Sequence, residues 1–399
     1  MTELKNADEV GRIASTAPSV QPKAIRPVLF WSSVGAVCVV IAAYVYTAWI
    51  VSGNATPVDP GPDAIPAGTR VAMTVFQIAC PILALTAVVY VVRKSLRERA
   101  LCVEAAVVIG SAIAWWHDPL INWFQPVLFY NAGLVNFGNW MENVPGSLSP
   151  GSRFMVEPVL MIGMIYVWMP LAMGKLAYWG MGRARGRWPT LGPVRTFCCG
   201  WLAVYVIEFP LEIFAVQHGL VAYPASIPGA TLWAGQTVQL PVYGPILWSL
   251  VLSSSGALMF FRNKRGQVRV EAGVETLHWA GPRVKGVLRV LAVTGFLHVV
   301  AIGVYDVPVN FAGFYAGPTD TYPSYLRTQY CGPDTPRTCP DGTRFADPKL
   351  LEHRGQRGEL LADQIVERPA WRSQPLIEGT FDEQHADGRE QSAFVVWRR

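Results

Sequence analysis

Seven stretches of this chain are each apolar enough, and close enough to about 20 residues, to cross a bilayer. They run over about 28–51, 71–92, 101–116, 155–179, 197–216, 238–261 and 287–311. Backbone facing lipid must satisfy its own hydrogen bonds, which leaves helices as the means of crossing. The expected fold class is therefore all-α, a polytopic membrane bundle of about seven helices. Composition agrees: 51% of residues are hydrophobic and 15% charged, against about 25% charged in a soluble domain.

Charge in the connections orients the bundle. The 93–99, 181–195 and 262–289 connections together hold 15 Lys and Arg, whereas the alternate connections hold Arg70 and Arg153. The positive-inside rule then places the N-terminus in the cytoplasm and the C-terminus outside the cytoplasmic membrane. Residues 1–27 read as a polar cytoplasmic leader. The first apolar run is longer than a signal-peptide core and reads as a retained helix. Residues 28–316 form the membrane domain, and 317–399 a polar extracytoplasmic tail, partly disordered, with 11 basic and 13 acidic residues. Within that tail, Leu350, Leu351, Leu360, Leu361, Ile365 and Val366 mark a short amphipathic helix. Cys331 and Cys339 flank a Pro- and Gly-rich turn. In an oxidising compartment they close a small disulfide loop; otherwise they are two free thiols.

Acidic residues inside the apolar runs carry the functional signal. Glu157, Glu208, Glu212 and Asp306 all fall between mid-membrane and the outer rim. Carboxyl groups at that depth are costly and face a cavity or a partner. Glu208 and Glu212 are four apart, so they share a helix face about 6 Å apart in rise. Pro210 between them removes a backbone donor and is expected to open the helix locally. The competing explanation is that each acid pairs with Arg, Tyr or Trp to lock helices together. Glu104 is different: one turn from Arg99, it is expected to snorkel to the cytoplasmic surface.

The external connection between the third and fourth runs is dense in rings and amides. It reads Trp-Trp-His-Asp-Pro-Leu-Ile-Asn-Trp-Phe-Gln-Pro from Trp115, then Asn-Phe-Gly-Asn-Trp ending at Trp140. Pro119 and Pro126 forbid one uninterrupted helix. A plain aromatic belt has no need of Asp118, Asn122, Gln125, Asn131, Asn136 and Asn139. A re-entrant or interfacial cap over 117–154 is expected instead. Span six enters with Gln239 and Tyr243, and span seven carries His298 about 12 Å deeper than Asp306.

Several chemistries find no support. No lysine follows Arg289 in span seven for a retinal Schiff base, and no His-x-x-x-His, Asp-rich diphosphate or Gly-rich phosphate motif occurs. Cys331 and Cys339 have no companion ligands at zinc spacing, and no metal or cofactor is expected. No basic stretch interleaved with aromatics suggests nucleic acid. Two halves with matching broken helices, common in secondary transporters, are not visible.

Trp-His-Asp-Pro-Leu-Ile-Asn-Trp-Phe from Trp116, Asn-Phe-Gly-Asn-Trp, Pro-Gly at Pro145 and Glu-Pro-Val-Leu from Glu157 resemble the AveC-type spirocyclase family of actinobacteria over roughly residues 25–320. The resemblance implies an integral membrane protein of spiroketal formation in polyketide pathways. Such closure passes from a dihydroxyketone through a hemiketal and an oxocarbenium ion, with loss of water. An apolar setting disfavours ionisation of a carboxyl and a neighbouring carboxylate disfavours it further, so one acid stays protonated beside an ionised one. The expected acid is Glu208 or Glu212, and the stabilising carboxylate Asp306 or Asp118. Asn122, Gln125, Asn139, Trp140, Glu157, Gln239, Tyr243 and His298 are expected to bind an apolar polyketide- or lipid-like substrate. A rival reading is a non-catalytic carrier or transporter of an apolar molecule with a polar head.

Overall fold

A computed structural model describes residues 26–147, 151–264, 266–315, 319–335, 339, 344–346 and 365–367. Among these, six helices are long and apolar enough to cross a membrane. We number the main helices α1 (Pro27–Val51), α2 (Ala67–Glu98), α3 (Val103–Ala114), α4 (Met164–Arg187), α5 (Pro193–Gln217), α6 (Tyr243–Phe260) and α7 (Pro282–Ala301). The third apolar run is the exception. Its α-helix has 12 residues and continues as a 3₁₀-helix of eight, Trp115–Asn122. At standard rises these are about 18 Å and 16 Å, so the pair reaches across the bundle although α3 alone does not.

Helix α4 is the hub, packing on α2, α3, α5 and α6, while α1 packs on α7 and α7 on α3. Small residues set these close approaches, the usual device where lipid offers no hydrophobic drive between helices. A Cβ on Gly295 would sit 2.4 Å from the Trp31 carbonyl oxygen, joining α7 to α1, and one on Gly256 would sit 2.4 Å from that of Gly174, joining α6 to α4. Ser255 Oγ strengthens the second contact by donating to the Pro170 carbonyl at 2.6 Å.

Two helices depart from α geometry at informative places. A π-helical turn, Val159–Gly163, leads into α4 directly after Glu157 and Pro158, and another, Ile302–Asp306, ends at Asp306. Such turns recur at functional sites because the extra residue re-aims its neighbours. Helix α5, by contrast, runs on through Pro210.

The cap is larger than 117–154. Strand β1 (Phe129–Tyr130) pairs antiparallel with β2 (Val221–Ala222), and Asn136 bridges Pro158. Strands β3 (Thr231–Leu232) and β4 (Leu240–Pro241) form a hairpin, so the sixth span starts at Tyr243 rather than 238. The first part of the tail also belongs to the cap. Tyr322, Tyr325, Leu326 and Tyr330 pack against Phe129, Met155 and Ala222, and Ala132 N donates to the Tyr325 carbonyl at 2.7 Å. Cys331 and Cys339 are joined in a disulfide. Of the expected tail helix, Ile365 and Val366 lie in a strand, Ile365–Glu367, paired with Arg344–Ala346; its leucines, like leader residues 1–25, lie outside the described residues.

The asparagines explain how an irregular cap is held. Asn136 accepts from Val58 N and Gly138 N at 3.0 and 3.1 Å and donates to the Leu134 carbonyl at 2.9 Å. Asn122 accepts from Val127 N and Leu128 N, and Asn139 from Met141 N. Loop backbone without a ladder partner must be satisfied when buried, and a short amide does so locally.

At the opposite end, Lys94, Arg262, Glu271 and Arg289 line one charged cleft, so two of the basic connections meet there. Glu104 does not snorkel. It is 5% exposed, and Lys94 Nζ and Lys175 Nζ lie 2.6 and 2.7 Å from its Oε1. Two ammonium groups compensate a carboxylate that the helix bundle has covered.

Candidate active site

A cavity of about 300 Å³ lies beneath the cap between α2, α4 and α5. Each helix contributes one stripe: Val75, Ala79 and Leu83 from α2, Ile165, Tyr166 and Met169 from α4, and Glu208, Leu211, Glu212 and Ala215 from α5. The spacing on α5 is the i, i+3, i+4, i+7 pattern of a single helical face. The wall is apolar apart from a few groups, the usual composition of a small-molecule site. Those groups are Asp118, Glu208, Glu212 and the tyrosines Tyr130, Tyr166, Tyr223 and Tyr305.

Asp118 projects from the 3₁₀-helix, where the tighter winding turns it inward. Tyr130 Oη donates to its Oδ2 and Tyr166 Oη to its Oδ1, each at 2.8 Å. The Glu157 carboxyl neighbours Asp118, and its Oε1 accepts from Trp115 Nε1 at 3.0 Å. Neighbouring carboxyl groups disfavour each other's ionisation. Both Asp118 oxygens accept from hydroxyls, surroundings that suit its ionised form.

Glu208 and Glu212 line the cavity from α5. Glu212 accepts from the Tyr223 hydroxyl. Glu208 is 3% exposed, and its Oε2 has no hydrogen-bond partner among the described residues. Tyr305 also lines the cavity. Its ring packs 5.2 Å from Trp248, which packs 5.8 Å from Tyr166.

Behind this wall lies a histidine pair. His117 Nδ1 is 2.8 Å from Asp306 Oδ2, and the His117 and His298 rings are 5.5 Å apart. His298 Nε2 faces the Trp116 indole N–H at 3.1 Å, and its Nδ1 faces the Thr294 carbonyl at 2.8 Å. An indole only donates and a carbonyl only accepts, so His298 is neutral with its proton on Nδ1. Among the described residues no group of three His, Cys, Asp or Glu is arranged to hold a metal ion.

The structure thus brings Asp118, Glu208 and Glu212 to one cavity, with Glu157 directly behind Asp118. Asp306 and His298 stand one layer further back, and Asn122 and Asn139 hold cap backbone. Gln239 is spent on the same task, donating to the Tyr223 carbonyl at 2.6 Å and accepting from Gly235 N at 2.9 Å. Trp140 donates to the Trp116 carbonyl at 2.7 Å within a cluster of Tyr46, Trp49 and Trp115. Tyr243 packs at the edge of the central core. Gln125 is 2% exposed with neither amide atom hydrogen-bonded among the described residues. The four cavity tyrosines went unassigned in the sequence. Their signal was available: a hydroxyl in an apolar segment needs a polar partner, and carboxyl groups were the partners on offer.

A family model described as Spirocyclase AveC-like matches residues 98–325. The match takes in α3, the 3₁₀-helix, most of the cap and α4 to α7, and excludes α1 and nearly all of α2. No curated protein and no solved structure matches the chain. On the family match, which spans more than half its length, this membrane protein belongs to the AveC-like spirocyclase family.

Proposed function

We propose that the protein closes a polyketide- or lipid-like hydroxyketone by acid-assisted cyclisation and dehydration in the cavity beneath the cap. The observation that carries this reading is the contrast between its carboxyl groups. Glu208 is buried with a free oxygen, whereas Asp118 faces the same space with both oxygens held by tyrosine hydroxyls. Such a division of environments is how two carboxyl groups take opposite roles in one site.

Glu208 protonates the hydroxyl of a hemiketal, its C–O bond breaks, and water departs. The oxocarbenium ion is stabilised by the Asp118 carboxylate and by the electron-rich rings of Tyr166, Trp248 and Tyr305. The second hydroxyl of the substrate attacks the cation and loses its proton to Asp118. The released water carries that proton back to Glu208, and the cycle closes with net loss of one water. Glu157 holds the negative charge on Asp118 in place, and Glu212, anchored by Tyr223, orients the substrate hydroxyls.

The positive-inside rule supports a cap on the outer side of the membrane. The test is incubation of the protein in lipid nanodiscs with a membrane-soluble dihydroxyketone, followed by mass spectrometry. The expected product is lighter than the substrate by one water; Glu208→Gln abolishes it, and Asp118→Asn lowers its yield to a small residual turnover. Tight binding by the wild type with no change in mass replaces this reading with that of a carrier.

A further inference from the structure

The cap shuts the cavity off from the outer end. Leu128, Tyr130, Leu220, Val221 and Tyr223 roof it, and all five are buried. The side wall between α2 and α5 is built differently. Val75, Leu83 and Leu211 line the cavity and are also 56%, 41% and 38% exposed on the bundle surface. At that depth the outer side of each meets acyl chains, so the wall is a single side chain thick. Helices α2 and α5 both pack on α4 but make little contact with one another. Phe76 stacked on Phe214 at 5.9 Å bridges them toward the cap. Beside that bridge stand Ala79 and Ala215, the smallest side chains of the wall. The lining extends about 12 Å along α2 and about 10 Å along α5, a slot that accepts a flexible hydrocarbon chain.

We infer that the gap between α2 and α5 is a lateral portal through which a membrane-dissolved hydroxyketone slides from the bilayer into the cavity, its oxygenated end toward Glu208 and Asp118. The inference rests on the reading of the cavity as a substrate site. It assigns the substrate a long apolar chain, since a compact polar molecule has no route through lipid to this wall. It also gives α2 a task in the site although α2 lies almost wholly outside the family match.

The test uses the full chain in nanodiscs containing a diazirine-bearing fatty acid, with labelled residues mapped by mass spectrometry after irradiation. Met161 and Met169 line the cavity and are 3% and 5% exposed, whereas Met181 is fully buried away from it. Labelling of Met161 and Met169 at least tenfold above Met181 is expected. Ala79→Trp and Ala215→Trp each reduce it toward the Met181 level. Ile78→Trp, on the outward face beside Ala79 and 58% exposed, leaves it unchanged. Labelling of Met161 and Met169 no greater than that of Met181, or unaffected by both tryptophans at the portal, overturns the inference. The readout is independent of turnover. Labelled but inactive wild-type protein removes the proposed reaction and leaves the portal; active protein with an unlabelled cavity does the reverse.

Discussion

Tyr166→Phe removes one oxygen atom from the centre of the site. The ring keeps its packing, with Trp248 at 5.8 Å and His117 at 5.9 Å, so the change reports on the hydroxyl alone. That hydroxyl donates to Asp118 Oδ1 at 2.8 Å inside a buried site. A hydrogen bond to a charged group contributes about 1.5–3 kcal/mol. If Asp118 must be ionised to stabilise a developing cation, the loss appears in the rate as roughly ten- to a hundredfold. The assay is turnover of a dihydroxyketone in nanodiscs, with Tyr130→Phe and Asp118→Asn prepared alongside. Tyr130→Phe acts on the other oxygen and is expected to cost a similar amount. In the Asp118→Asn background, Tyr166→Phe costs little further, because the two residues act as one unit. Unchanged turnover in Tyr166→Phe, or the same loss with and without Asp118, refutes the assignment of Asp118 as the working carboxylate.

Other outcomes follow from the frame. Asn136→Ala frees two buried N–H groups and is expected to lower stability by about 2–4 kcal/mol, read as a fall in the unfolding temperature in detergent; an unchanged midpoint argues against the amides as staples of the cap. Gly295→Val drives a side chain into the Trp31 carbonyl, which lies 2.4 Å from the Cβ position, and is expected to abolish recovery of folded monodisperse protein. Glu104→Gln leaves Lys94 and Lys175 without their shared carboxylate and costs about 1–3 kcal/mol, limited because both lysines reach solvent. In the cleft at the basic end, burial pushes the Glu271 carboxyl up to about 7 from 4.5, against the pull of Arg289 and Arg262. Between those values the folded state binds more protons than the unfolded one, so stability falls as pH rises from about 4.5 to about 7 and then levels off. Glu271→Gln is expected to flatten that slope in pH-resolved unfolding.

The bundle was legible because hydropathy and period act over 20 residues at a time. Six of the expected spans are long helices, and the differences lie where local chemistry competes with hydropathy. The run at 101–116 is a short helix because Pro119 and the polar residues after Trp116 suit tighter winding. The sixth span starts late because Leu240 and Pro241 are apolar residues of a hairpin, not of a helix. The Asn-rich connection was legible as a folded cap, while the role of its amides was not. An amide that binds a substrate and one that binds a loop backbone look alike until the loop is built. Glu208, Glu212 and Asp118 were visible as costly groups. Their partners, Tyr130, Tyr166, Tyr223 and Tyr305, come from four separate segments, and no spacing in the chain relates them. Residues 319–335 read as tail on polarity, yet their aromatic side chains close the cap. Glu104 was misread because its distance from Arg99 along the chain says nothing of Lys175 on another helix.

In the reaction proposed above, Glu208 drives loss of the ketone oxygen as water within the cavity. It is tested most directly with a dihydroxyketone carrying oxygen-18 in both hydroxyls, given to wild-type and Glu208→Gln protein in nanodiscs. The expected wild-type product is lighter by one unlabelled water, with both heavy oxygens retained, and Glu208→Gln gives none. Loss of a heavy oxygen, or equal product from Glu208→Gln, contradicts it.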